Sequence, residues 1–414
     1  MNYENILAIE ENMNKRTLEC TSEIEAVIAA LCTSEHCVLI GPPGTGKSRI
    51  VDDACYYLGG LQVFKSLLHR YIPPEEIVGP ISIKALTEKD EYRRITKGKL
   101  PEADVAYLDE IFNTSSAFLN TLLNMLNERT FFDGDKQIRI PLRSVIASSN
   151  QLPEGLDSVA PDVQTSRAIY DRILLRCKVQ PLQGDRSWVV MVTGNVDIPR
   201  EPSLVLDKSE LDVIQSQIAQ VSPSRPTIEA LLRMRSSCIR DGIMVSDRRW
   251  RKCMNLARFK AWKSGRKVTE PKDLLILTNV LWTSPDQISK TMDAVFACAV
   301  PAMAIARKLE GKYVEQVQHL RNTPMTDDAY LQKAIELNKG LLKAKAEIKI
   351  LMEKNGSIGE VQRIYDWMQG TQQEMALEIR RRTNPGESVE DSLGSLLRDL
   401  EKNGKGSDRQ IGFS

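Results

Sequence analysis

The sequence predicts an α/β fold in which a parallel five-stranded sheet is followed by an all-helical region. Short apolar runs alternate with helical patterns through the first half of the chain, which is typical of parallel strands connected by helices. Beyond residue 203 the apolar residues recur at helical spacing, and beyond residue 330 they recur in heptads. These patterns indicate amphipathic helices and then a helical hairpin.

The length and composition fit a folded protein of several domains. The chain has 414 residues, enough for roughly two to four domains. Lys+Arg number 56 and Asp+Glu 55, whereas an obligate nucleic-acid coat would be strongly basic. The first residues show no signal-peptide pattern, and no apolar run is long enough to span a membrane. The eight cysteines form no C-x-x-C pair, so we expect reduced, mostly buried thiols in a cytoplasmic protein.

Five short apolar runs bounded by polar or turn residues are the predicted strands, at residues 37–40, 62–64, 105–108, 144–148 and 173–175. Helices are predicted between them, including residues 48–58 and 116–127. A polar segment with glycine and proline, residues 184–202, indicates a boundary. The predicted parts are a core at 1–183, a helical unit at 203–300, a helical hairpin at 301–382 and a flexible tail at 383–414.

The hairpin prediction depends on two apolar seams. The first consists of residues spaced four and three apart, namely Tyr330, Ala334, Leu337, Leu341, Ala344, Ile348 and Leu351. After a break at Asn355-Gly356-Ser357, a similar rhythm resumes with Ile358, Val361, Tyr365, Met368, Gln372, Met375 and Ile379. Such seams either pack on each other as an antiparallel pair or present a surface to a partner, and the pattern leaves both alternatives open.

The segment GPPGTGKS follows the first predicted strand and precedes a helix, the context of a phosphate-binding loop. Glycine lets the loop backbone approach phosphate, and the loop N–H groups face its charge. We expect Lys47 to reach the β- and γ-phosphates and the Ser48 hydroxyl to bind Mg²⁺. The predicted nucleotide-binding residues are Gly41, Pro42, Pro43, Gly44, Thr45, Gly46, Lys47 and Ser48. ATP and Mg²⁺ are therefore the predicted cofactors.

Two further strands end in polar side chains that complete such a site. VAYLDE delivers Asp109, which we expect to hold Mg²⁺ through water, and Glu110, a candidate base for the attacking water. SVIASSN ends in Asn150, at the sheet edge where ligands bind, and this amide could orient the same water. The alternative for Asp109 and Glu110 is an acidic pair that faces solvent. Together the three motifs predict ATP hydrolysis.

These motifs, in this order, resemble AAA+ ATPases, and the intervening sequence is similar to the MoxR family. The resemblance covers residues 24–282 and is carried by YIPPEEIVGPISIKAL, YRRITKGKLPEADVAYLDEIF and LNTLLNMLNERTFFDGDKQIRIPLRSVIASSN. The segment VSDRRWRKCMNLARFKAWKSGRKVTEPKDLLILTNVLW resembles the lid of the regulatory ATPase variant A branch. Downstream the chain diverges, because no alternating β pattern follows the lid.

The resemblance implies a ring of identical subunits, expected to be a hexamer, that remodels a protein client with a von Willebrand factor A-domain adaptor. It implies that Arg172 in YDRILLR is an arginine finger for a neighbour's γ-phosphate. Arg167 is the second candidate for that role, and a local pair with Asp171 is the alternative for Arg172. Arg248 in SDRRW matches the lid's sensor 2 arginine, expected to touch its own subunit's nucleotide, with Arg249 as the alternative.

The resemblance also implies two hairpins, a helix-2 insert at residues 82–99 and a pre-sensor-1 hairpin at residues 130–141 with Asp133-Gly134 as its turn. Both are rich in Lys and Arg, so they either contact a client or are solvated edges. Two other classes of protein stay open. They are a nucleic-acid-dependent motor, which the balanced charge disfavours, and a chelatase-type ATPase subunit.

Overall fold

A computed structural model of the chain describes residues 2–58, 60–134, 136–152, 161–194, 198–324, 326–355 and 359–383. The chain forms two compact units, residues 1–299 and residues 300 onward. The finer division of the chain into a core, a helical unit, a hairpin and a tail stays a prediction. No helix within the described ranges is both long and apolar enough to cross a membrane.

The strands within the described ranges are β1 (Cys37–Ile40), β2 (Val63–Leu67), β3 (Val105–Asp109), β4 (Thr130–Asp133), β5 (Lys136–Arg139), β6 (Ser144–Ser149) and β7 (Leu175–Lys178). Five of them form a parallel sheet in the order β2-β3-β6-β1-β7. Strands β1 and β6 are buried along their whole length, as expected when helices cover both faces of a parallel sheet. The predicted five-stranded parallel sheet is confirmed.

The helices of the first unit within the described ranges are α1 (Asn2–Arg16), α2 (Thr21–Thr33), α3 (Lys47–Tyr57), α4 (Pro74–Val78), α5 (Ile83–Lys89), α6 (Ser116–Asn127), α7 (Pro161–Arg172), α8 (Asp185–Val192), α9 (Lys208–Ala219), α10 (Arg225–Arg240), α11 (Asp247–Lys263) and α12 (Ile288–Ala299). Short 3-10 helices occur at Leu100–Glu102, Pro202–Leu204, Pro271–Asn279 and Pro285–Gln287. Helix α6 has the predicted bounds, because Ser115 caps it by accepting from the Phe118 N–H and its apolar face joins the core.

Strands β3 and β6 are one residue longer than predicted, and two other strands differ by more than one residue. Strand β2 continues to Leu67, because its pairing with β3 extends to Asp109. Strand β7 starts at Leu175, two residues later than predicted. Ile173 still belongs to the turn that ends α7, where its N–H contacts the carbonyl oxygens of Ile169 and Tyr170 at 3.3 Å each. An apolar run at the end of a helix therefore mimicked the start of a strand.

The two segments predicted as hairpins differ. Residues 130–141 form one, with β4 antiparallel to β5 and Gly134 at a φ of 61°. For residues 82–99 the hairpin prediction is wrong, because the segment contains α5 and a single antiparallel bridge between Ile81 and Arg94. The Ser82 side chain accepts from the Ala85 N–H at 3.2 Å, and this helix cap favours a helical turn over a strand.

The predicted boundary at residues 184–202 contains helix α8. The apolar side chains Trp188, Val189, Met191 and Val192 of this helix are all exposed by 43% or more. The sequence analysis describes this segment as a polar boundary because of its glycine and proline, and it does not identify the apolar helix between them.

Helix α1 is an integral part of the first unit, although the family resemblance begins at residue 24. Its Ile6 and Ile9 are fully buried. Arg16 donates to the buried Asp53 of α3 at 2.8 Å. Lys263 of α11 donates to Glu10 at 2.8 Å. The first helix thus connects the phosphate-loop helix to the helical region that follows the sheet.

The second unit contains α13 (Pro301–Asn322), α14 (Asp327–Asn355) and α15 (Gly359–Thr383), which pack on one another. The predicted hairpin is therefore joined by a third helix. In the first seam Leu341 and Ile348 are fully buried; in the second, Ile364 is fully buried instead of the predicted Tyr365, which is half-buried. Residues 356 and 357 of the predicted turn at 355–357 lie outside the described ranges, as do residues 384–414 of the predicted tail at 383–414. Thr383, the first residue of that predicted tail, ends α15.

Candidate functional site

The segment 41–48 connects β1 to α3 and includes the first two residues of that helix. Gly44 and Gly46 have φ values of 78° and 84°, a left-handed region in which a Cβ is strained. Gly41 approaches the Val179 backbone so closely that a Cβ would overlap its carbonyl oxygen. The loop thus wraps around the first turn of α3, whose N–H groups are a ready anion-binding site.

We expect Gly41→Ala to destabilise the protein more than Gly44→Ala does. The added methyl group at residue 41 meets the Val179 carbonyl, whereas nothing lies within 4 Å of a Cβ at residue 44. Overpacking against backbone should lower the free energy of unfolding by about 2–3 kcal/mol, against about 1 kcal/mol for the positive φ of Gly44. Urea unfolding followed by circular dichroism measures both, and equal losses would contradict the contact.

Lys47 lies at the centre of the loop and is 7% exposed. Its ammonium donates to the carbonyl oxygens of Gly41 at 2.6 Å and Pro42 at 2.7 Å, and to Asn150 Oδ1 at 3.2 Å. Burial lowers the pKa of Lys47, while the carboxylates of Glu110 and Asp109 act in the opposite direction. The cation therefore lies where the loop and the ends of β3 and β6 meet.

A chain of hydroxyl groups connects the two predicted Mg²⁺ ligands. The Tyr107 phenol donates to Ser48 Oγ at 3.1 Å and lies 3.0 Å from Ser148 Oγ. Ser148 in turn donates to the Asp109 carboxylate. Tyr107 and Ser148 were not identified from the sequence, because in the motif they occupy positions of a buried strand. Oxygen donors from three elements thus meet beside the loop, a donor set that suits Mg²⁺.

Glu110 and Asn150 also meet at this sheet edge. The Asn150 N–H donates to Glu110 Oε2 at 3.4 Å. Glu110 has a φ of 57°, a left-handed conformation that is uncommon for a residue with a side chain. Such outliers persist where the surrounding structure enforces them, and they cluster at functional sites. The acidic pair is therefore oriented toward Lys47 and Asn150.

A cavity of about 530 Å³ lies beside the loop. Its lining combines loop residues with three segments that the sequence analysis did not assign to the site: the α1–α2 junction with Arg16, Thr17 and Cys20, the segment 180–182 after β7, and Trp188 and Met191 of α8. A volume of this size is typical of small-molecule pockets. It could hold the base and ribose of a nucleotide whose phosphates lie on the loop.

Arg172 and Arg248 lie together near the end of α7. Arg172 donates to the Ala168 carbonyl at 2.8 Å, and its buried Nε has no hydrogen-bond partner. Arg248 lies 3.7 Å from the Asp171 carboxylate. Burial, followed by the charge of Arg248, lowers the pKa of Arg172. Asp171 thus pairs with Arg248. Neither Arg172 nor Arg248 is among the residues that line the cavity beside the loop.

Arg249 has a different environment from its neighbour. It is 2% exposed and donates to the carbonyl oxygens of Leu281 at 3.4 Å and Trp282 at 3.3 Å. Its two terminal nitrogens are thus held in the core by backbone carbonyls and by the Thr283 hydroxyl group, a structural role that favours Arg248 as the arginine available to a ligand. Arg167, the second finger candidate, is an exposed residue of α7.

Residues 4–215 match the family model for the MoxR domain in MoxR-vWA-beta-propeller ternary systems, and residues 226–295 match an AAA lid domain. Two uncharacterized proteins of Methanocaldococcus jannaschii are each 31% identical, one over 70% of this chain and 74% of its own, the other over 75% of both chains. A crystal structure of a candidate ATPase from Cytophaga hutchinsonii has a TM-score of 0.55 at 15% identity and covers 72% of this chain and 94% of that one; it supports the fold.

These matches extend from the first helix through the helices that follow the sheet, and they agree with the loop, strand and lid residues described above. The narrower similarity to the regulatory ATPase variant A branch stays a prediction. The chain belongs to the MoxR family of AAA+ ATPases.

Proposed function

We propose that this protein binds ATP with Mg²⁺ and hydrolyses it at subunit interfaces of a ring, expected to be a hexamer, in order to remodel a protein client. One observation carries this proposal. Lys47, Asp109, Glu110 and Asn150 come from three separate elements and converge on one phosphate-binding loop. A loop that served only as a fold element would not require this set of a cation, two carboxylates and an amide.

Each side chain has a place in phosphoryl transfer. Lys47 would exchange its loop carbonyl partners for the β- and γ-phosphates. Ser48 would hold Mg²⁺ directly and Asp109 through water, and the cation would neutralise phosphate charge. Glu110 would accept a proton from the attacking water, while Asn150 orients that water. The loop glycines bring backbone N–H groups to the phosphates.

Binding of the nucleotide provides the first test. We expect Lys47→Met to weaken the affinity for Mg·ATP about 10- to 100-fold, the loss expected when hydrogen bonds between a charged donor and phosphate disappear. Isothermal titration calorimetry measures it. Lys65→Met is the matched control, because Lys65 of β2 pairs with Asp52 on the surface. Equal affinities for the parent and Lys47→Met would contradict the proposed site.

We also propose that Arg172 and Arg248 act on the nucleotide of a neighbouring subunit. Both side chains lie near Asp171, whereas the cavity beside the loop is lined by other residues. An arginine finger supplied by a neighbour stabilises the charge that develops during phosphoryl transfer. The proposal revises the sequence-based expectation for Arg248, which was its own subunit's nucleotide.

The partner is proposed from the family. The matched family model is named for systems that contain a vWA protein, so we propose a von Willebrand factor A-domain protein as the adaptor. Size-exclusion chromatography of this chain with such a protein, with and without ATP, tests the association. A motor on nucleic acid is the alternative suggested by the basic side chains of residues 82–99. It requires salt-sensitive stimulation of ATP hydrolysis by DNA or RNA.

A further inference from the structure

Tyr107 has a hydroxyl group among the apolar buried residues of β3. It contacts Ser48 directly and Asp109 by way of Ser148, so it connects the two predicted Mg²⁺ ligands. It lies two residues before Asp109 on β3, so both side chains point to the same face of the sheet. The phenol donates to Ser48 Oγ at 3.1 Å and lies 3.0 Å from Ser148 Oγ. Ser148 donates to the Asp109 carboxylate.

The phenol is buried and has protein partners on both sides. Tyr107 is only 6% exposed, so its hydroxyl group relies on Ser48 and Ser148 for hydrogen bonds. A phenol hydroxyl group can donate one hydrogen bond and accept others. Tyr107 can therefore connect the two serines.

The number of hydroxyl protons limits the directions that these hydrogen bonds can take. Each of the three hydroxyl groups has one proton, so Tyr107 can donate to Ser48 or to Ser148 at a given moment. When Ser48 shares a lone pair with a cation, its hydroxyl becomes a poorer acceptor and a better donor. In the arrangement that then uses all three protons, Ser48 donates to Tyr107, Tyr107 donates to Ser148, and Ser148 donates to Asp109.

We propose that Tyr107 is a positioning residue for the Mg²⁺ site. Its phenol would orient the Ser48 hydroxyl group that holds the cation, and through Ser148 it would fix one oxygen of Asp109 and leave the other oxygen available to the water around the cation. The inference rests on the proposed function for the identity of the cation and the nucleotide. It adds a series of hydrogen bonds that connects Ser48 of the loop to Asp109 of β3, the two residues expected to bind the same ion.

Removing the phenol oxygen tests this role. In the full chain, Tyr107→Phe should leave the affinity for a fluorescent ATP analogue in EDTA unchanged. The free Mg²⁺ concentration that gives half-maximal tightening of analogue binding should rise about tenfold, the change expected on losing a buried hydrogen bond. Ser148→Ala should produce a similar shift. The double variant should raise this Mg²⁺ concentration no further than the larger of the two single changes, because Tyr107 and Ser148 belong to the same series of hydrogen bonds.

Tyr57→Phe is the matched control. Tyr57 is a buried tyrosine of α3 that donates to Asn12 at 2.6 Å and accepts from the Glu201 N–H at 3.0 Å. This variant should lower the thermal midpoint of unfolding without altering the Mg²⁺ requirement. Thermal unfolding of every variant verifies folding, and Ser148→Ala decides the matter if Tyr107→Phe does not fold.

The outcomes separate two kinds of failure. If the parent chain does not bind the analogue with or without Mg²⁺, the proposed function fails. If the parent binds and Tyr107→Phe has the parental Mg²⁺ requirement, or weakens binding equally in EDTA and in Mg²⁺, the positioning role of Tyr107 is wrong. Additive shifts in the double variant would contradict the link through Ser148.

Discussion

Glu110→Gln should lower kcat for ATP hydrolysis about 10²- to 10⁴-fold, the contribution typical of a positioned general base, while Mg·ATP binding stays intact. Glutamine has the shape of glutamate and can still accept from the Asn150 N–H, which now lies 3.4 Å from Glu110 Oε2. It cannot take a proton from water. The expected product is a chain that binds nucleotide but turns it over very slowly.

Release of phosphate in steady state measures kcat, and titration of Mg·ATP measures binding to the same samples. Glu128→Gln is the control, because Glu128 is an exposed residue that directly follows α6. Hydrolysis at the parental rate by Glu110→Gln would eliminate Glu110 as the base. If Glu110→Gln lost Mg·ATP binding together with activity, Glu110 would instead contact the nucleotide in the ground state.

Arg172→Ala should reduce hydrolysis about 10³-fold or more, the range known for arginine fingers, with binding of Mg·ATP retained. Mixing provides the sharper test. An Arg172→Ala chain keeps an intact Lys47 loop, and a Lys47→Met chain keeps an intact Arg172. If the finger acts across an interface, mixed assemblies contain complete sites, and activity should return when two inactive proteins are combined.

The recovered rate should depend on the mixing ratio and be highest near equal amounts. Arg167→Ala in place of Arg172→Ala is the matched control, since Arg167 is the exposed second candidate on α7. If Arg167→Ala is the inactive variant that Lys47→Met rescues, the finger assignment moves to that residue. No recovery in any mixture would mean that each subunit is catalytically independent.

The local parts of the site could be predicted from the sequence because the chemistry is contiguous there. A glycine-rich loop after a strand has few alternatives, and the octapeptide from Gly41 to Ser48 follows β1 and ends in the first turn of α3 as expected. Strand β3 likewise delivers Asp109 to the sheet edge. Burial on both faces makes these strands continuous apolar runs, which are readily recognised.

The rest depends on contacts between distant residues. The spacing of SDRRW did not distinguish Arg248 from Arg249, because only the fold determines which guanidinium reaches the carbonyls of Leu281 and Trp282. A heptad rhythm admits neighbouring registers, so Ile364 was missed in favour of Tyr365. Trp188 was missed as part of the cavity because α8 reaches the loop only in three dimensions.

Helix α1 limits how α3 and α11 can move relative to each other. Tyr3 makes an edge contact with Trp262 of α11, with ring centroids 6.4 Å apart, and Glu10 pairs with Lys263 of the same helix. At the other end of α1, Arg16 pairs with Asp53, which lies six residues after Lys47, the first residue of α3. A movement that separates α11 from α3 must break either the Glu10–Lys263 or the Arg16–Asp53 ion pair, or it must move α1 together with one of the two helices. Helix α1 has fifteen residues, which corresponds to a length of roughly 22 Å.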